Sequence, residues 1–135
     1  MNTQSLSRTA RLILLALGAL AGCDATGDSF CTAQFVTVTA VVVDGTGAPV
    51  VNAVVTSTLA RTGEILLPTS LALFTPGTYV IVDDGARSQL LPAGDSVRVD
   101  VRRAGGPSTT ADYLFDVPGG CHVNKLTGPD TLTVQ

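Results

Sequence analysis

Tryptophan is absent from this 135-residue chain, which has two tyrosines, four phenylalanines, a single histidine (His122) and a single lysine (Lys125). So few rings provide no aromatic platform for stacking sugars and no cage for a quaternary ammonium ion. A lone histidine with no CxxC pair beside it makes no recognisable metal-ligand cluster. Charged residues are only 14% of the chain and acids outnumber bases, which argues against nucleic acid as an electrostatic partner. Long apolar runs are also missing. The greasiest stretch, within residues 9–22, is well short of the roughly 20 residues that span a bilayer as a helix.

What that stretch does have is the anatomy of an export signal: Arg8 and Arg11 as a positive n-region, an apolar h-region from Leu12 to Leu20, and small residues before a cysteine. Leu20-Ala21-Gly22-Cys23 resembles the lipobox of bacterial lipoproteins. The resemblance implies that residues 1–22 are a cleaved signal peptide, that Cys23 carries lipid, and that residues 23–30 are a lipidated tether ahead of a domain at 31–135. The membrane is then a partner through that lipid, and the location is the cell envelope, outside the cytoplasm, with the destination membrane open. Each buried methylene contributes about 0.8 kcal/mol, so two or more acyl chains hold stably. With Arg8 and Arg11 removed, 113 residues remain, six basic and eleven acidic, for a formal charge of −5.

Assigning Cys23 to lipid leaves Cys31 and Cys121 as an even pair in an oxidising compartment. A disulfide between them is predicted. It would close a loop of about 90 residues and contribute roughly 4–5 kcal/mol in the loop-entropy picture.

The rest of the chain reads as strands. Val36, Val38, Ala40 and Val42 share one face of an apolar run at 35–43, and Asp44-Gly45-Thr46-Gly47-Ala48-Pro49 is a strong turn. Val50 to Leu59 resumes with Ala53, Val55, Ser57 and Leu59 in phase, which predicts a hairpin. Ile65-Leu66-Leu67 is a short apolar stretch stopped by Pro68, and 70–74 fits either a strand or one helical turn. Thr78 to Val82 reads as a strand closed by Asp83-Asp84-Gly85. Ser96 to Arg102 alternates strictly, valines inward and Arg98, Asp100 and Arg102 outward. Tyr113 to Val117 and Thr131 to Val134 follow. About seven short strands with frequent turns predict an all-β, antiparallel sandwich.

The segment Val41 to Val55, with its strand, Asp/Gly turn, Gly-x-Pro-Val step and Ala-x-Val strand, is similar to the opening of carboxypeptidase regulatory-like domains. That resemblance covers about 15 residues and implies a transthyretin-like sandwich serving as a structural or interaction module. Hydroxyisourate hydrolases of the same architecture need several histidines and a different tail, which this chain lacks. An isopeptide bond from Lys125 to Asn52 beside Glu64 runs against the usual order, so Lys125 reads as solvated. Asp28, Asp44, Asp83 and Asp84 lack EF-hand spacing and read as turn formers in exposed loops rather than a calcium site.

The expected function is thus a lipid-anchored envelope module that binds or supports, without catalysis, cofactor or metal. One alternative is an envelope hydrolase or metal-dependent enzyme using His122, for which no hydroxyl relay is visible in the sequence. Another is an accessory subunit docked on an envelope protein partner through an edge strand.

Overall fold

The computed structural model describes residues 31–70 and 75–135. The signal-like segment, Cys23, Asp28 and the ambiguous stretch at 71–74 lie outside the described residues.

Two sheets face each other across a single apolar core. Eight strands are described: β1 (Thr37–Asp44), β2 (Ala53–Leu59), β3 (Ile65–Leu66), β4 (Thr78–Asp83), β5 (Asp95–Arg103), β6 (Ser108–Asp116), β7 (Asn124–Thr127) and β8 (Thr131–Val134). One sheet has the order β4-β1-β8 and the other β3-β2-β5-β6-β7. All-β architecture follows from β-branched alternation: Val97, Val99 and Val101 of β5 are fully buried while Arg98, Asp100 and Arg102 face out. Leu59, Ile81, Val42, Tyr113 and Phe115 complete the centre of the core. The Tyr113 and Phe115 rings stack 6.0 Å apart on the same face of β6.

The predicted hairpin between the first two strands is corrected. Its turn forms, with Asp44 Oδ1 accepting from the Thr46 amide (2.9 Å), the Thr46 hydroxyl (2.6 Å) and the Ala48 amide (3.0 Å). Pairing then stops after a single bridge between Val43 and Pro49, closed by the Asp44 amide on Ala48 and the Val50 amide on Val42, because the Val42 amide turns to the Gly77 carbonyl at 2.7 Å instead of continuing the ladder. β4 and β8 already flank β1, so the chain crosses to the opposite sheet. Tyr79 secures that crossing: its hydroxyl donates to the Val50 carbonyl (2.8 Å) and accepts from the Ala53 amide (2.9 Å). Buried Ser57 ties the sheets again, donating to the Ile81 carbonyl at 2.7 Å.

Antiparallel pairing holds for every strand pair described except one, since β8 lies parallel to β1 with Val41 opposite Thr131. Gly128, just before β8, sits against the Tyr113 ring, where a Cβ would come within 2.1 Å of a ring carbon, and its φ is +126°. The Tyr113 hydroxyl donates to the Pro129 carbonyl in the same corner at 2.7 Å. Gly128→Ala is therefore expected to destabilise the domain by about 2–3 kcal/mol through overpacking and backbone strain. Urea unfolding of the two proteins checks it, and an unchanged midpoint contradicts it.

Candidate functional site

Cys31 and Cys121 are disulfide-bonded across a sequence separation of 90. Beside the bridge, the residue following each cysteine meets the other: Thr32 Oγ1 lies 2.9 Å from His122 Nε2. The other ring nitrogen, Nδ1, lies 2.7 Å from Asp84 Oδ2.

Asp84 is the hub. Its side chain is 1% exposed. Besides the imidazole it accepts from the Val36 amide (Oδ2, 2.8 Å) and the Val123 amide (Oδ1, 2.8 Å). One carboxylate thus fixes the entry into β1, the stretch before β7 and the end of β4. An ionised carboxylate only accepts, so Nδ1 carries a proton; in the neutral ring the Thr32 hydroxyl then donates to Nε2.

Asp83 does the same job for a neighbouring loop. Fully buried, it accepts from the Thr69 amide (2.8 Å), the Ser70 amide (2.7 Å) and the Ser70 hydroxyl (2.6 Å) through Oδ2, and from the Gly85 amide (3.0 Å) through Oδ1. Both acids do form the turn, Asp83 ending β4 and capping the short 3-10 turn that Asp84 opens, but the reading that they lie in an exposed loop is corrected: both are buried.

Burial pushes both carboxyls up, but hydrogen bonds outweigh it and each titrates below the usual range. The Ser70 hydroxyl and amide lead for Asp83, and the Val36 amide and His122 for Asp84. A folded pKa below the unfolded value, roughly 3.9, means that their contribution is fully present above that value. It is lost as pH falls through the folded pKa. Stability is expected to hold through the mildly acidic range and drop below about pH 4. The same acid titration of an Asp83→Asn/Asp84→Asn variant is expected to be flatter, and identical slopes would contradict the assignment.

Other singled-out residues lie apart from this cluster. Lys125 is paired with Asp130 and donates to the Gly128 carbonyl at 3.5 Å, so it is a partnered lysine, not a freely solvated one, and Asn52 is not its partner. Asp44 spends its Oδ1 on its own turn. Among the described residues no group of three or more His, Cys, Asp or Glu side chains is arranged to hold a metal.

No family model, curated protein or solved structure matches this chain.

Proposed function

We propose that the protein is a lipid-anchored module of the cell envelope, attached through Cys23 and built to bind or support rather than to catalyse. The sandwich is of the transthyretin-like, carboxypeptidase regulatory-like kind that the Val41 to Val55 motif resembles. The single observation that supports the reading is the reinforcement of residues 31–36. Directly after the tether, the chain is fixed to the body by the disulfide, by Thr32 on His122 and by Val36 on Asp84. Such reinforcement suits a domain carried on a leash. Eight residues from Cys23 to Cys31 extend at most about 30 Å, so the domain works close to the membrane surface. Cys23→Ser is expected to shift the protein from the membrane pellet to the soluble fraction after cell breakage. A variant that stays in the pellet overturns the lipid anchor.

A second reading has one observation in its favour. Thr32, His122 and Asp84 line up hydroxyl, imidazole and carboxylate in the order used for nucleophilic acyl transfer. Labelling of Thr32 by a fluorophosphonate, lost in a folded His122→Ala protein, would make the domain a hydrolase. No labelling leaves the module.

A further inference from the structure

The outer face of the five-stranded sheet carries an incomplete edge. β3 pairs with β2 only at Ser57 and Thr58, because Pro68 follows and cannot extend the ladder. Beyond Ser57, among the described residues, no strand lies beside Ala53 to Thr56. The Leu59 amide donates to Glu64 on the β3 side, whereas the Ala60 amide donates to Ser96 on the β5 side. By that alternation Val55 presents its N–H and C=O to the open edge.

Chemistry gathers along this edge. Val54 is 61% exposed, Ile65 54% and Leu67 75%. Val54, opposite Arg102, and Ile65, opposite Thr58, share the outer face, and Leu67 follows the last paired residue of β3. Next to them Val54, Thr56, Asp100 and Arg102 line a shallow groove of about 400 Å³. Asp100 is already engaged by the Thr110 hydroxyl at 2.7 Å, and Arg98 by Asp112. Among the described residues Arg102 has no ion pair, so the groove offers one uncommitted guanidinium beside an apolar strip.

We propose that this edge receives an extended acidic segment of a partner protein, added as a strand against Ala53 to Thr56. On its outward face an apolar side chain rests against Val54, and two residues along on the same face a carboxylate reaches over β2 to Arg102. Main-chain bonds supply the affinity of strand addition and the side chains its selectivity. The surface rests on the binding-module reading and names its partner class.

The test titrates the full-length protein in detergent with a capped Thr-Val-Thr-Glu-Thr-Val-Thr heptapeptide, which sets valine and glutamate on one face of the strand, read by amide chemical shifts. Shifts confined to Val54, Val55 and Thr56, with slowed exchange of the Val55 amide, are expected. Affinity should fall about fivefold for the glutamine version of the peptide and for Arg102→Gln, and weaken with salt. Equal affinity for both peptides, shifts elsewhere, or self-association through this edge in sedimentation overturns the proposal. Photo-crosslinkers at Val54 and at Leu126 separate the two failures in membranes. Partner capture from Leu126 alone rejects this edge and keeps a binding module; capture from neither rejects the module as well.

Discussion

Replacing Asp84 with alanine is expected to cost about 3–5 kcal/mol, a large part of the stability of a domain this size. The cause is not the lost ion pair alone. The Val36 and Val123 amides both end on this carboxylate, and each buried donor left unmet costs about 1–3 kcal/mol. Alanine fills none of that space and accepts nothing. Asparagine keeps one accepting oxygen, so Asp84→Asn should fall between alanine and the wild type. His122→Ala should cost only about 1 kcal/mol, since the ring is partly exposed and its removal leaves Asp84 with both amides. Thermal unfolding orders the three, with Tm for Asp84→Ala lower by roughly 20 °C. If His122→Ala proves as damaging as Asp84→Ala, the carboxylate is not the hub.

Loss of the disulfide is the second large effect. Cys31→Ser with Cys121→Ser frees a loop of 90 residues, and the unfolded chain regains entropy worth about 4–5 kcal/mol. Urea unfolding with and without reductant measures it on the wild type, and the double variant should be insensitive to reductant. The two predictions are coupled. Bridge and carboxylate restrain the same short segment, so removing both should differ from the sum of the separate losses by more than about 0.5 kcal/mol. Strict additivity would mean that they stabilise different parts of the domain.

The sequence carried the local pattern and little of the long-range pairing. Val97, Val99 and Val101 could be placed in the core because strict alternation with Arg98, Asp100 and Arg102 leaves only one consistent face. The sandwich class was legible from the same alternation, and the pairing of Cys31 with Cys121 from cysteine arithmetic once Cys23 was set aside. The first half of β6, Ser108 to Asp112, escaped because Ser-Thr-Thr-Ala-Asp shows no apolar face; it runs on beside β5 at its polar end. β7 escaped because Asn124 to Thr127 holds one aliphatic residue, Leu126, and that is 45% exposed. The strand exists because β6 offers it a ladder. The hairpin expectation failed because turn chemistry at Asp44 to Pro49 says nothing of which sheet the next strand joins. In the candidate site, His122 was noticed and its partners were not. Thr32 and Asp84 lie 90 and 38 residues away, and acids that follow a strand look like turn residues until the fold turns them inward. The one available cue was that Asp83 and Asp84 directly follow the apolar run Val80-Ile81-Val82.

The position of the bridge also sets how the domain responds to mechanical load. A pull applied from the N-terminal side arrives at Cys31 and passes through sulfur to Cys121, at the connection between β6 and β7, instead of travelling along the backbone into β1. The central strand of the three-stranded sheet, held by β4 on one side and β8 on the other, is shielded from that force. Once the bridge is reduced, the same pull bears on Val36 and its bond to Asp84, and then on the first rungs of β1 at Thr37 and Val38. Those rungs lie next to a register shift between Val38 and Thr39, so the strand would peel from that end.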